Sequence, residues 1–294
     1  MALDILPPDL PWHLSAALIL DGVSLSGLPK KLYEWSDQPV FEQLYLETKQ
    51  APLADISPCL VAVKGPEDPV LHEFLSLTSE DCGYLLFSDA SWEQQMDHMR
   101  WLTQVRAPSG EIVLLRLADP AVLSTLLLTT AKDQSSEITG PFERLVLPDA
   151  MKNDWLVFQP TKQLTQPSRK DLYQLSDLQL TALGDVSFQQ VVVRLDRHLQ
   201  MKFPAYGSEW PAGSRRAALT QLAEEAYSRG FCSEGDIQLY SGIFGLLGER
   251  ALEAHPDINH LLDARSSETP SQRLRRAFDT AQDRAAIHTG IGHV

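Results

Sequence analysis

The sequence predicts an α/β (α+β) N-terminal lobe, with a mixed sheet flanked by helices, followed by an all-helical C-terminal lobe. Three observations carry this expectation. From residue 16 to residue 160, short apolar runs suited to strands alternate with segments of helical periodicity, as in a sheet covered by helices. Residues 159–171, "QPTKQLTQPSRKD", lack apolar periodicity and hold two prolines, which places a boundary between lobes over 1–165 and 172–294. Everything beyond it reads as helix.

Taken in order, "AALILDG" (16–22) reads as a buried strand, "LPKKLYEW" as a short helix, "FEQLYLE" as extended chain and "CLVAVK" (59–64) as a second buried strand. "DPVLHEFLSL" reads as a helix with Pro69 in its first turn, and "GYLLFSD" as a strand. In "SWEQQMDHMRWLTQV", Ser91 and Gln94 have capping-box spacing, and Trp92, Met96, Met99 and Val105 fall on one helical face. A Pro-Ser-Gly turn at 108–110 precedes the apolar run "EIVLLRLADPAVLSTLLL" (111–128), read as a buried strand passing into a helix at Asp119 and Pro120. "ERLVLP" and "WLVFQP" complete the lobe as strands.

In the second lobe, Phe188, Val192, Leu195 and Leu199 follow the i, i+4, i+7, i+11 pattern of a helix burying one face. A helix over about 214–229 ends at Gly230, a suitable C-cap residue. Ser233 caps the next, whose apolar stripe is Ile237, Tyr240, Phe244 and Leu247; Pro256 and Pro270 suit first helical turns. The last ten residues are expected to fray.

Composition excludes several classes. The 294 residues are 44 % hydrophobic and 22 % charged, ordinary for a folded protein. Thirty-nine acidic residues against 25 basic ones give a net charge of -14, which repels a phosphate backbone, so nucleic acid is not an expected partner. Cys59, Cys82 and Cys232 show no CxxC spacing and suggest neither a disulfide framework nor zinc. "LSAALIL" is too short for a membrane span and lacks the flanks of a signal peptide, so a cytoplasmic location is expected.

The residues that could carry chemistry are few. Arg116 lies within the apolar run, with Asp119 three residues on. The two could form a catalytic or anion-binding pair. Alternatively, Asp119 directly before Pro120 is an N-cap, with Arg116 reaching back to its carboxylate or to loop carbonyls, and the pair fixes a structural corner. Gly242, Gly245 and Gly248 lack the preceding strand of a dinucleotide fingerprint and suit close helix packing. "SLSG" (24–27) is not a nucleophile elbow. The eight histidines form no ligand set, His98 reads as solvated or at an interface, and no metal or cofactor is expected. Trp92, Met96, Met99 and Trp101 offer an adaptable apolar surface for a partner, or core packing.

The order of segments is more specific than any one motif. "LILDGVSLSGLPKKLYEW" ends a strand at Asp21-Gly22; Leu53-Ala54-Asp55 with Pro58 and Leu60 precedes the next strand; His98-Met99-Arg100 follows a Ser-containing turn; and Arg116 with Asp119-Pro120 marks a strand-to-helix corner. This order resembles the effector adaptor or chaperone family of bacterial type VI secretion, and the likeness extends through the helical tail to about residue 285. The chain departs from the family pattern at Ala121, where a second arginine is usual, and at Met99 in place of leucine. The first departure weakens an anion-binding role for the corner and leaves capping intact. The resemblance implies a non-catalytic cytoplasmic adaptor that binds a secreted effector and delivers it to the VgrG spike. The α/β lobe, or the groove between it and the helical lobe, would cover apolar surface of the client. The other readings are an enzyme or small-anion-binding protein using Arg116 and Asp119, and a structural subunit of a larger assembly.

Overall fold

The structure, a computed structural model, describes residue 3 and residues 5–131, 135–149, 152–160, 171–263 and 267–290. It divides into two compact units, residues 1–186 and 187–294. The linker expected at 159–171 lies largely outside the described residues.

The first unit is built on a six-stranded sheet. In chain order its elements are β1 (Ser15–Leu20), α1 (Leu28–Trp35), β2 (Phe41–Gln43), β3 (Cys59–Val63), α2 (Pro69–Ser76), β4 (Gly83–Ser88), α3 (Trp92–Leu102), β5 (Gln104–Arg106), β6 (Ile112–Leu114), α4 (Pro120–Thr129), α5 (Ser135–Thr139), β7 (Phe142–Asp149), β8 (Asp154–Phe158) and β9 (Tyr173–Gln174). The large sheet runs β2-β3-β1-β4-β7-β8 with every neighbouring pair antiparallel. A smaller sheet, β6-β5-β9, is mixed, because β5 pairs antiparallel with β6 and parallel with β9.

The strands β1, β3 and β4 read as continuous apolar runs because both faces of the sheet are covered. On one face Leu18, Leu20, Val61 and Phe87 pack with Leu28 and Leu32 of α1 and Leu71 and Phe74 of α2. On the other, Ile19, Leu60, Tyr84 and Leu86 pack with Met99 and Leu102 of α3 and Leu123 and Leu126 of α4. Alternate residues of one strand thus enter two cores. Local chemistry sets the helix starts: the carboxylate of Asp68 accepts from Val70 N–H ahead of Pro69, and Ser91 and Gln94 form both bonds of a capping box.

Three local expectations change. "FEQLYLE" is strand only over Phe41–Gln43 and then turns, which buries Leu44 and Tyr45. Val105 belongs to β5 and not to the face of α3. The apolar run 112–114 is not buried: it forms β6, an edge strand whose three residues are all exposed. Apolar character alone could not separate a central strand from an exposed edge.

The second unit takes the end of α6 (Asp177–Lys202) with α7 (Ala212–Ser228), α8 (Glu234–Leu247), α9 (Ala251–Ala254), α10 (Pro256–Asp263) and α11 (Pro270–Gly290). Its core includes Val192, Leu195, Leu199, Leu219, Ile237, Tyr240, Ile258 and Leu274. Gly230 follows α7 with φ of +86°, the left-handed conformation that ends a helix, and the side chain of Ser233 caps α8. The helix α11 continues to Gly290, into the stretch expected to fray; residues 291–294 lie outside the described residues. No helix is long and apolar enough to cross a membrane, among the described residues.

Candidate functional site

The Arg116 corner forms where β1 ends and α4 begins. The guanidinium makes its short contacts with Asp21, not with its near neighbour in sequence. Arg116 Nη2 and Nε donate to Asp21 Oδ2 at 2.6 and 3.1 Å, and Nη2 also donates to Ser24 Oγ at 2.9 Å. Asp119 Oδ2 lies farther off, 3.6 Å from Nη1. Asp119 faces chiefly along α4: its Oδ1 accepts from the N–H groups of Ala121 and Val122 at 2.9 and 3.4 Å, with Pro120 at the first helical position.

Asp21 is itself held by its own loop, accepting from Val23 N–H, Ser24 N–H and the Ser24 hydroxyl at 3.1, 3.2 and 2.9 Å. The next residue must be small, because a Cβ on Gly22 would run into the carbonyl oxygen of Ser57. Ser57 is buried and closes the neighbouring loop, accepting from Tyr45 N–H at 3.0 Å. Asp21-Gly22, the 53–60 segment and Arg116 with Asp119 therefore meet in one place, although they are far apart in the chain.

Electrostatically the corner is an acidic site with one cation. Burial pulls the Arg116 guanidinium down, but Asp21, Asp119 and Asp81 outweigh it and leave its pKa above the ordinary value. Burial, and then the charge of Asp119, push Tyr84 well above the usual phenol range; its hydroxyl donates to Leu117 O at 2.9 Å. Burial followed by the charge of Asp119 raises Asp81 to about 6, partly offset by Arg116. One guanidinium between two buried carboxylates has Nε and Nη2 engaged in hydrogen bonds, and the local charge opposes a further anion. This arrangement suits the fixing of a corner.

The apolar candidates lie on α3. Met99 is inside the core at 2 % exposure, whereas Trp92, Met96 and Trp101 are half-buried and pack against that core. Trp101 Nε1 donates to Asp171 O at 2.9 Å, and its ring meets Tyr173 edge-on. His98, expected at the surface, is 1 % exposed, with Nε2 2.8 Å from Ile138 O and its ring between Trp101 and Phe142. It fits because Gly140 (φ +53°) brings only backbone against the imidazole. Arg100 lies 3.8 Å from both Glu42 and Glu47.

Cys59 and Cys82 are buried, which pushes each thiol up to about 12 and leaves neither as a thiolate at neutral pH. Among the described residues no group of three or more His, Cys, Asp or Glu is placed to hold a metal. The residues that sequence reasoning missed are Asp21, as the partner of Arg116, and the exposed strand β6. The first had a signal in the Asp-Gly step at the strand end.

Known proteins place these features in a family. A family described as a domain of unknown function, DUF4123, matches residues 18–137, the stretch that contains Asp21, β6 and the Arg116 corner. The accessory protein VasW of Vibrio cholerae serotype O1 is 31 % identical over 266 residues, which are 90 % of this chain and 86 % of VasW. No solved structure matches. With the likeness to VasW running through both units, the chain belongs to the DUF4123 family, the type VI secretion effector adaptors that its order of segments resembles.

Proposed function

We propose that this protein is a cytoplasmic, non-catalytic adaptor that binds a type VI effector and delivers it to the VgrG spike. The observation that carries this reading is the identity with an accessory protein along 90 % of the chain. Two features of the first unit support it. The cation at the corner is already engaged by Asp21 and Ser24, so the residues best placed for chemistry are used in holding the fold. The strand β6, in contrast, leaves Ile112, Val113 and Leu114 exposed at a sheet edge that no strand covers among the described residues, with no lysine or proline in the strand to deter pairing.

In this reading an extended client segment adds to β6. The ladder with β5 alternates, and with Val113 bonded to Val105, the backbone N–H and C=O groups of Ile112 and Leu114 point outward. Trp92, Met96, Met99 and Trp101 back the lobe from within, with the exposed edges of the two tryptophans and Met96 beside the client. Arg116, Asp119 and Pro120 hold the corner from which α4 starts. Release follows docking on the spike, with no covalent step.

The test is co-purification from native cells with mass spectrometry of the eluate. An effector and a spike protein retained at micromolar concentration are the expected result, and a chain recovered without either at that concentration would sink the adaptor reading. An enzyme at the Arg116 corner would instead show saturable turnover lost in Arg116→Ala with the fold retained.

A further inference from the structure

The second unit carries a half-open groove of about 600 Å³ between the end of α6, the chain that follows it, α8 and α11. Its floor is apolar, made by Phe203, Leu239, Leu246 and Phe278. The glycines of α8 account for that floor. A Cβ on Gly245 would stand 2.5 Å from Phe203 Cγ, and one on Gly242 would stand 2.6 Å from Phe278 Cε2. Two aromatic rings therefore lie against the helix backbone, and their half-buried edges remain open to the groove.

The rim is cationic. Lys202 and Arg275 are exposed and line the groove, and neither has a carboxylate partner among the described residues. The acid on the lining, Asp236, lies in the first turn of α8 and accepts from Ser271 Oγ at 3.0 Å. His198 adds no positive charge of its own to the rim, since burial and then Lys202 hold its pKa below the ordinary value. In a chain of net charge -14, an acidic partner is repelled by most of the surface, so a greasy channel edged by two free cations is a distinct feature.

We infer that this groove docks an acidic amphipathic helix of a protein partner. Its walls are helices, with no sheet edge to template a strand. A helix laid along them presents apolar anchors at i, i+3, i+4 and i+7 to Phe203, Leu239, Leu246 and Phe278, and its Glu or Asp residues to Lys202 and Arg275. That the partner is the secreted client rests on the adaptor reading; the chemistry of the groove does not.

The probe is a labelled synthetic helix of about 16 residues, with leucine at the anchor positions and glutamate elsewhere. Its binding to the full chain is read by fluorescence anisotropy. Micromolar binding is expected, weakened about tenfold or more in the double variant Lys202→Glu/Arg275→Glu. The same peptide with lysine for glutamate, or with serine for leucine, should bind at least tenfold more weakly than the parent. Both rim residues are exposed, so the double variant should keep the wild-type melting temperature. Equal affinity for the acidic and basic peptides, or an unchanged affinity in the double variant, would overturn the inference. The same variant separates the groove from the adaptor reading in co-purification. Client retained equally by wild type and variant removes the groove as the client site and leaves the adaptor role standing. Peptide binding as expected, with neither client nor spike retained by wild type, leaves the groove and removes that role.

Discussion

Arg116 and Asp21, 95 residues apart, form the shortest ion pair of the corner, with Nη2 2.6 Å from Oδ2, while Asp119, three residues from Arg116, stands 3.6 Å away. The pair ties the end of β1 to the start of α4, so a long-range contact fixes what the sequence offers as a local one.

Removing the cation leaves two buried carboxylates, Asp21 and Asp119, with their backbone and hydroxyl donors but without their countercharge. Arg116→Ala should therefore lower the unfolding free energy by about 2–3 kcal/mol, at or below the low end of the range for a broken buried pair because the guanidinium is one-third exposed. Adding Asp21→Asn should recover part of that loss. Denaturant titrations of both single variants and the double variant measure the coupling, and additive losses would show that the pair does not couple.

Asp119 has two functions that substitution can separate. Asp119→Ala removes the cap on Ala121 and Val122 and should cost about 1–2 kcal/mol. Asparagine keeps a capping oxygen and loses only the charge 3.6 Å from Arg116, so Asp119→Asn should cost less than Asp119→Ala. Equal losses in the two variants would assign the effect to charge and not to the cap.

These residues also mark how far the sequence can be read. The Asp119-Pro120 step and the Ser91/Gln94 box were legible because caps depend on neighbours within a turn, and the strands β1, β3 and β4 because full burial leaves an apolar run. Asp21 as the partner of Arg116, the burial of His98 beside Gly140, and the exposure of β6 were not, because each depends on a segment distant in the chain. Likewise β9, two residues long, exists only because β5 pairs with it. For the second unit, helix periodicity gave the stripe of α8, but the contact of its glycines with Phe203 and Phe278 came from elements on either side.

Asp81 makes the corner sensitive to pH. Its pKa is about 6 in the fold, against 3.8 ordinarily, from burial first and Asp119 second. Between those values the folded state holds the proton more tightly than the unfolded state, so stability falls as pH rises from about 4 to 6 and the penalty is complete above that. Asparagine tolerates the left-handed backbone at this position, φ +50°. Asp81→Asn should accordingly raise stability by about 1 kcal/mol at pH 7.5, a figure discounted for partial exposure, and the gain should vanish near pH 4. Thermal melts across that range measure it, and a gain independent of pH would remove charge as the cause.

Trp101 tests what holds α3 to the small sheet. Its ring packs on Tyr173 and its Nε1 donates to Asp171 O, so Trp101→Ala should cost about 2–3 kcal/mol, and Trp101→Phe, which keeps the ring and loses the donor, about 1 kcal/mol. Wild-type stability in Trp101→Ala, with weakened client capture, would move this residue from the packing of the lobe to its binding surface.

The edge strand gives the opposite expectation, loss of binding without loss of fold. Ile112, Val113 and Leu114 are 55, 36 and 45 % exposed, so a lysine at Leu114 buries no charge in the free protein and should change stability by less than about 0.5 kcal/mol. An added strand brings its own backbone and side chains against this edge, where lysine is a known deterrent to pairing. Leu114→Lys should therefore reduce client capture about tenfold or more while the melting temperature stays within experimental error. Proline at the same position removes the outward N–H itself, and a matching loss in Leu114→Pro with the fold intact would trace the binding to backbone pairing. Capture unchanged in both variants would clear β6 of any part in recognition and turn the search to the half-exposed edges of Trp92 and Met96 on α3.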